Sequence, residues 1–287
     1  MRAVVTGATN GIGEAIARRL ALSGAAVTLV GRSDERLRAA TDRIAAVVPG
    51  AELHRERADF AELDEVRDLA DRLLAGPRPD VVVSNAALVT PLSRRNSAGL
   101  PRLLAVNHLA PYLLLRSLAG KLDEARFVLV GADPTALAQA PVDLDDLCFQ
   151  HPEQLGEPVA LRPFRAYGRT KNMTAMFTFA LARRFADTGI TVNAAHPGII
   201  GGTGLAGEAP EVSAIVARLY DLDRAELPGP DVGADTPAWL ATSDEIAGRT
   251  GRFYVDRRPV ETAGHTTDQA RCDRLWTESA RLVGLPA

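Results

Sequence analysis

The stretch Ala3-Val4-Val5-Thr6-Gly7-Ala8-Thr9-Asn10-Gly11-Ile12-Gly13 decides the fold of this chain of 287 residues. It starts as a short apolar strand, and the amphipathic segment 14–22 follows its glycines directly. Glycines let a turn tighten and let backbone N–H groups approach a phosphate, while the start of the following helix adds a favourable dipole. The stretch therefore predicts a dinucleotide-binding turn rather than a plain glycine-rich turn. Its predicted cofactor-binding residues are Gly7, Thr9, Asn10, Gly11, Ile12 and Gly13.

Strands and helices alternate along the rest of the chain. The predicted strands are 3–6, 26–30, 52–57, 81–84, 127–130, 191–194 and 252–255. Amphipathic stretches such as 34–47 and 63–74 lie between them. This βαβ rhythm predicts an α/β fold with a Rossmann-type, doubly wound parallel sheet, in a single domain over residues 1–287.

Two long segments interrupt this rhythm, at residues 133–163 and 198–230, and residues 257–287 form a C-terminal extension. Long loops in a compact domain tend to be functional or mobile. We expect both to line the site, with the segment after strand six acting as a substrate lid.

Composition excludes several classes of protein. A net charge of −3 provides no basic surface for nucleic acid. Cys148, Cys272 and five scattered histidines match neither a disulfide framework nor a metal site. No apolar stretch approaches the roughly 20 residues of a membrane span, and no signal peptide is visible. We therefore expect a cytoplasmic protein without a metal.

The segment Tyr167-Gly168-Arg169-Thr170-Lys171 contains a candidate catalytic pair. Of the 33 basic residues, only Lys121 and Lys171 are lysine. A spacing of four residues places Tyr167 and Lys171 on one face of a helix. A nearby ammonium lowers the pKa of a phenol towards the working range of a general acid or base. The alternative is an ordinary exposed pair on a surface helix.

The pattern Gly-x-x-x-Gly-x-Gly after Thr6, followed by Tyr-x-x-x-Lys, resembles the short-chain dehydrogenase/reductase family over essentially the whole chain. Three further stretches are most similar to its retinol-dehydrogenase-like branch. They are Asp143-Leu144-Asp145-Asp146-Leu147, Gly251-Arg252-Phe253-Tyr254-Val255-Asp256, and Arg274-Leu275-Trp276 with Arg281-Leu282-Val283-Gly284-Leu285.

The residues after the second strand, Gly31-Arg32-Ser33, predict the cofactor. A site selective for NAD normally ends this strand with a carboxylate that binds the ribose 2′-hydroxyl. Gly31 has none, and the guanidinium of Arg32 can bind a 2′-phosphate. Ser33 can add a hydroxyl donor, so we expect NADP(H). The alternative is that Arg32 is a surface residue and Ser33 only caps the next helix.

The resemblance implies further cofactor contacts. Asp59 would meet the adenine edge, unless it is an N-cap of the following helix. Asn85-Ala86 corresponds to the motif near the adenine ribose, although Ala87 stands where the family usually has glycine. Pro197-Gly198 would lie against the nicotinamide, and Thr203 is the candidate for a contact with the carboxamide or the phosphates.

The resemblance also implies the chemistry. Tyr167 would exchange a proton with the substrate oxygen, and Lys171 would lower its pKa and bind the nicotinamide ribose. Asn107 matches the residue that holds a water in a proton relay to the lysine. The alternative for Asn107 is a helix amide that bonds to backbone. The family's catalytic serine is missing, because Ala132 occupies its position.

Three explanations for Ala132 remain open. Thr135 or a protonated Asp133 could replace the donor, the substrate could supply its own hydrogen bond, or the reaction could differ from carbonyl reduction. The leading expectation is an NADPH-dependent ketoreductase or dehydrogenase of secondary metabolism that acts on a small apolar or polyketide-like molecule. The alternatives are a C=C or imine reductase, an isomerase, lyase or cyclase that retains NADP(H), and a non-catalytic NADP(H) sensor. The family also allows a homodimer through the helices that hold Asn107 and Tyr167.

Overall fold

A computed structural model describes residues 1–219, 221–223 and 225–287. Within them, eight strands form one sheet in the order β3-β2-β1-β4-β5-β6-β7-β8, in which β8 alone is antiparallel to its neighbour. The strands are β1 Arg2–Thr6, β2 Ala26–Gly31, β3 Leu53–Arg57, β4 Val81–Ser84, β5 Glu124–Val130, β6 Gly189–Ala195, β7 Arg252–Val255 and β8 Arg258–Val260. The order reverses between β1 and β4, which is where a doubly wound sheet opens a crevice for a ligand.

Helices cover both faces of this sheet. The longer ones are α1 Gly11–Leu22, α2 Asp34–Val47, α3 Leu63–Ala75, α5 Ala110–Ala119, α7 Arg162–Arg184, α8 Pro210–Leu219, α10 Asp235–Thr242 and α12 Gln269–Val283. The short ones are α4 Arg102–Leu104, α6 Pro134–Ala138, α9 Pro230–Gly233 and α11 Gly264–Thr267. A π-helical turn, Ala105–Leu109, joins α4 to α5.

The apolar strands form two cores because successive side chains point to opposite faces of the sheet. Val4 lies in the core under α3, α5 and α7, whereas Ala3 and Val5 lie in the core under α1, α2 and α10. Burial on both faces explains why the central strands β1 and β4 are nearly continuous apolar runs, whereas the edge strand β3 is mostly polar. The α/β, doubly wound prediction is therefore confirmed.

The sequence did not predict β8 or the π-helical turn. β7 and β8 are joined by Asp256 and Arg257, which both have positive φ angles, of 47° and 60°. This is the backbone of a two-residue hairpin turn, normally indicated by Asn-Gly or Asp-Gly. Because neither turn residue is glycine, the sequence contained no clear hairpin signal.

The C-terminal extension forms an outer layer on α5 and α7. The hydroxyl of Tyr112 donates to the backbone oxygen of Trp276 at 2.7 Å, and His108 Nε2 lies 2.7 Å from Ser279 Oγ. The guanidinium groups of Arg116 and Arg184 lie 4.3 Å and 4.1 Å from the centre of the Trp276 ring. Among the described residues, no helix combines the length and apolar character that crossing a bilayer requires.

Candidate functional site

The glycine-rich turn fits a pyrophosphate. Gly7 and Gly11 have φ angles of 65° and 55°, which side chains rarely adopt. A Cβ on Gly13 would overlap the Gly7 oxygen and Asn85 Nδ2, so only glycine allows α1 to pack this closely. Asn10 precedes α1 and makes no side-chain capping bond within the described residues. The first N–H groups of α1 are thus left for an anion.

Hydrogen bonds between Thr6 and residues 85 and 86 support this glycine-rich turn. Thr6 Oγ1 accepts bonds from the backbone nitrogens of Asn85 and Ala86 at 3.0 Å and 3.1 Å. Asn85 Nδ2 donates to the Thr6 oxygen at 3.0 Å. Asn85 therefore fixes the end of β4 to the end of β1. Sequence reasoning gave no role to Thr6, although a hydroxyl at the last position of a strand before glycine was the available signal.

The end of β2 can accommodate no side chain at Gly31, because a Cβ there would lie 2.6 Å from Thr9 Cγ2. Arg32 Nη1 donates to Glu208 Oε1 at 2.9 Å. Ser33 is the N-cap of α2 and accepts from the backbone nitrogen of Arg36 at 3.3 Å. The capping alternative for Ser33 is thus present, while its hydroxyl proton can still be donated. The role of Arg32 with a 2′-phosphate stays a prediction.

Asp59 lies at the end of β3 but does not cap the following helix. The residue at the N-cap position of α3 is Glu62. Asp59 Oδ1 accepts from the backbone nitrogen of Ala61 at 2.9 Å, and Oδ2 lies 3.5 Å from Arg102 Nη2. The N-cap alternative for Asp59 is therefore wrong, and its contact with adenine stays a prediction.

The segment after β6 crosses the phosphate-binding turn. Gly198 has a φ of 88° and follows Pro197 at the carboxyl edge of the sheet. A Cβ on Gly11 would lie 3.5 Å from Thr203 Cβ, and one on Gly204 would lie 2.7 Å from Asn10 Nδ2. Thr203 therefore lies beside the turn, and its contact with the carboxamide or the phosphates stays a prediction.

Tyr167 and Lys171 lie on one face of α7, but Lys171 is buried rather than exposed. Lys171 Nζ donates to the Val130 oxygen at 2.9 Å and lies 5.6 Å from the centre of the Tyr167 ring. The surface-helix alternative is therefore wrong.

In this structure burial dominates the pKa of Tyr167, and the expected activation by Lys171 stays a prediction. Burial raises the pKa of Tyr167 above its usual value of 10, and burial lowers the pKa of Lys171 to about 8. Loss of hydration disfavours the charged form of both groups, and the ammonium is directed at β5 rather than at the phenol. In this state Tyr167 is a neutral proton donor.

Asn107 lies within the π-helical turn and ties two elements together. Its Oδ1 accepts from the Leu88 nitrogen at 2.9 Å, and its Nδ2 donates to the Leu88 oxygen at 2.9 Å and to Thr170 Oγ1 at 3.1 Å. The alternative in which the Asn107 side chain bonds to backbone is therefore present in the structure. A cavity of about 10 Å³, lined by Asn107 and Lys171 among others, lies behind the pair. Such a volume matches a single water, so the relay stays a prediction.

Nothing that sequence reasoning offered in place of the serine is free to act. Asp133 caps α6 by accepting from the nitrogens of Thr135 and Ala136 at 2.6 Å and 3.2 Å. Burial raises the pKa of Asp133, but these two bonds, the charge of His196 and the Thr135 hydroxyl together hold it below its usual value. Asp133 is therefore an anion, and Thr135 is exposed and bonded to it. In this structure both side chains are engaged with each other, which argues against either replacement.

An apolar lid covers Tyr167. This apolar cluster joins Val89 and Phe164 to residues of the segment after β6. The Val89 nitrogen also donates to the Leu205 oxygen at 2.7 Å. The Phe164 and Tyr167 rings are stacked, with centres 6.1 Å apart. The lid residues of this cluster are Leu205, Ala206, Ala209, Val212 and Val216. Residues 220 and 224 of the predicted lid lie outside the described residues. In the described ranges, no group of three or more His, Cys, Asp or Glu side chains could hold a metal.

A family model described as short chain dehydrogenase matches residues 1–129. A protein of Streptomyces sp. (strain C5) named "Putative daunorubicin C-13 ketoreductase DnrU" is 37% identical, over 98% of this chain and 92% of the relative. Human "Retinol dehydrogenase 13" is 29% identical, over 99% of this chain and 85% of the relative.

Among solved structures, one from Beutenbergia cavernae has a TM-score of 0.66 and 28% identity. The match covers 88% of this chain and 94% of that chain. It is described as a "putative NAD(P) dependent gluconate 5-dehydrogenase" and has NADP bound at low occupancy.

Proposed function

The chain belongs to the short-chain dehydrogenase/reductase family, in its retinol-dehydrogenase-like branch, and is an oxidoreductase; on this basis we propose that it is an NADPH-dependent ketoreductase. Its substrate would be a small apolar or polyketide-like ketone. The observation that carries the proposal is the neutral, lid-covered phenol of Tyr167 on the same helix face as the buried Lys171.

The chain's own groups account for the proton. When bound, NADPH supplies the hydride that reduces the carbonyl carbon. Tyr167 donates its phenol proton to the carbonyl oxygen, so that one hydride and one proton convert C=O into an alcohol. Lys171 then stabilises the phenolate, and solvent restores the proton by way of the cavity beside Asn107. The phenol of Tyr167 is protonated at neutral pH and can therefore act as the general acid in a reduction.

Two features support NADP(H) as the cofactor. Gly31 leaves no room for the carboxylate that would repel a 2′-phosphate, and Arg32 follows it directly. A solved relative with 28% identity binds NADP. Around the cofactor, Gly7 to Gly13 would hold the pyrophosphate, Asp59 the adenine, Asn85-Ala86 the adenine ribose, and Pro197, Gly198 and Thr203 the nicotinamide side.

The lid supports an apolar substrate. The side chains around Tyr167 are aliphatic or aromatic, and the Phe164 ring lies stacked beside the phenol. A flat, apolar ketone gains by contact with such walls. The relative with 37% identity is named as a putative daunorubicin C-13 ketoreductase, which supports a ketone as the substrate.

The test is the consumption of NADPH with a panel of apolar and polycyclic ketones. Tyr167→Phe should lower kcat by about 10²- to 10⁴-fold, because general-acid catalysis contributes about that much. NADPH binding should stay within about twofold. The control is Tyr254→Phe, which removes a buried hydroxyl with no hydrogen-bond partner in the described part of the chain and should leave kcat unchanged. Equal rates for wild type and Tyr167→Phe would refute the mechanism.

A second candidate rests on Ala132. Because Thr135 and Asp133 are engaged with each other and not free to replace the serine, the substrate could instead be an activated C=C bond or an imine, or it could isomerise or cyclise without net reduction. Product formed with no change in NADPH absorbance would identify the non-redox reaction. Consumption of NADPH with enones but not with ketones would identify a C=C reductase.

A further inference from the structure

Glu208 of the lid binds the arginine that is expected to select the cofactor. Its Oε1 accepts from Arg32 Nη1 at 2.9 Å, although the two residues are 176 positions apart in the sequence. Its Oε2 lies 3.4 Å from Nε of Arg102, whose side chain is more deeply buried than that of Arg32. A carboxylate therefore lies where an incoming 2′-phosphate would meet Arg32, since this phosphate reaches the carboxyl end of β2.

The charges at this edge of the sheet are already balanced. Arg32 and Arg102 face Glu208, and Arg102 also faces Asp59 at 3.5 Å. Burial raises the pKa of Glu208, but the bond from Arg32 and the charge of Arg102 hold it below its usual value, so it is an anion at neutral pH. A 2′-phosphate that entered beside Glu208 would place excess negative charge at one point, which is unfavourable.

We propose that Glu208 competes with the 2′-phosphate of NADP(H) for Arg32 and Arg102, and thereby sets how strongly the enzyme prefers NADP(H) to NAD(H). This inference rests on the proposed cofactor. Glu208 is a specificity-determining residue that weakens the binding of NADP(H). The ion pair between Glu208 and Arg32 must break when the 2′-phosphate binds, and this offsets part of the binding free energy. NAD(H) has no 2′-phosphate and leaves the ion pair intact.

The position of Glu208 also connects the two halves of the site. It directly precedes Ala209, which is fully buried in the cluster over Tyr167, and Val212 follows within one helical turn. The ion pair between Glu208 and Arg32 therefore lies next in the chain to the apolar cluster over Tyr167.

The experiment measures dissociation constants of NADPH and NADH, by nucleotide fluorescence, for wild type and four variants. Glu208→Gln keeps the shape of the side chain and removes its charge. Glu211→Gln is the matched control, since Glu211 is exposed on the same lid and forms no ion pair within the described residues. Arg32→Ala and the double variant Arg32→Ala/Glu208→Gln complete a double-mutant cycle.

Glu208→Gln should bind NADPH about three- to fivefold more tightly, the upper range for a partly exposed ion pair, with NADH unchanged. The gain should disappear in the Arg32→Ala background and shrink as salt rises. If wild type shows no preference for NADPH, the proposed cofactor is wrong and the inference fails with it. If wild type prefers NADPH while Glu208→Gln behaves like Glu211→Gln, or binds NADPH more weakly, the competition alone is refuted.

Discussion

Tyr167, Lys171 and Ala132 define the chemistry at the scale of single residues. Burial keeps Tyr167 neutral, and the Lys171 ammonium donates a hydrogen bond to the Val130 oxygen at the end of β5. The Lys171 ammonium lies 5.6 Å from the centre of the Tyr167 ring, and it keeps further N–H donors for a bound ribose. Ala132 lies two residues beyond Val130 and provides no hydroxyl for the substrate oxygen. In this proposal the phenol of Tyr167 is therefore the hydrogen-bond donor to the substrate oxygen.

Ala132→Ser should restore the missing donor. Removal of one oxyanion-type donor costs about 10²- to 10³-fold in rate, so adding one should raise kcat at least about tenfold for ketones without a neighbouring hydroxyl. Ketones with their own phenol or enol should gain little. The measurement is kcat for matched pairs of ketones, with Ala138→Ser on the exposed side of α6 as control. If kcat does not rise for ketones without a neighbouring hydroxyl, residue 132 does not contact the substrate oxygen.

Lys171 should make stability rise with pH in the cofactor-free protein. Its pKa falls from 10.5 to about 8 on folding, so between these values the unfolded chain binds more protons, and raising the pH stabilises the folded state. Relative to Lys171→Met, wild type should gain about 2 kcal/mol between about pH 7 and about pH 9.5. Urea unfolding at both pH values measures the difference. A constant difference would mean that the pKa of Lys171 is not lowered.

At the scale of elements, the periodicity of apolar residues predicted the regular strands and helices. It missed the features that depend on contacts between residues far apart in the sequence. Most strands and α2 were predicted to within one residue at each end, because a regular apolar face marks α2 and the central strands, whereas β5 and β6 begin three and two residues before their predicted starts. The π-helical turn at Asn107 could not be predicted, since it is fixed by bonds to Leu88 and Thr170 from other elements. The same applies to Glu208, because its partners, Arg32 directly after β2 and Arg102 on α4, come close to it only in the folded chain.

The end of β2 gives a prediction about the exchange of cofactor. Gly31→Asp should not by itself confer use of NADH, because its Cβ would lie 2.6 Å from Thr9 Cγ2. We expect a loss of about 1–3 kcal/mol in stability, typical of overpacking. Thr9→Ser removes the methyl group, so the double variant Thr9→Ser/Gly31→Asp should recover stability and bind NADH more tightly than NADPH. Thermal unfolding and nucleotide titration of all three variants provide the test. Efficient NADH binding by Gly31→Asp alone would contradict it.

At the scale of the whole molecule, α12 changes which surfaces are available to a second copy. The family allows a dimer through the helices of Asn107 and Tyr167, yet α12 already packs on α7 and on the π-helical turn. Trp276 lies between the guanidinium groups of Arg116 and Arg184 and contacts the rings of Tyr112 and Phe177. These contacts bury apolar surface that a dimer would otherwise cover.

We therefore expect a monomer of 30.5 kDa in solution, because α12 occupies the face that a dimer through α5 and α7 would need. Light scattering coupled to size exclusion measures the mass. Trp276→Ala should lower the free energy of unfolding by about 3–5 kcal/mol and promote association, since it opens that face. Trp239→Ala is the matched control, because Trp239 lies on α10 on the opposite side of the sheet and its loss should not promote association. A stable wild-type dimer whose α12 amides gain protection from hydrogen exchange with rising concentration would contradict this expectation, since it would place α12 inside the interface.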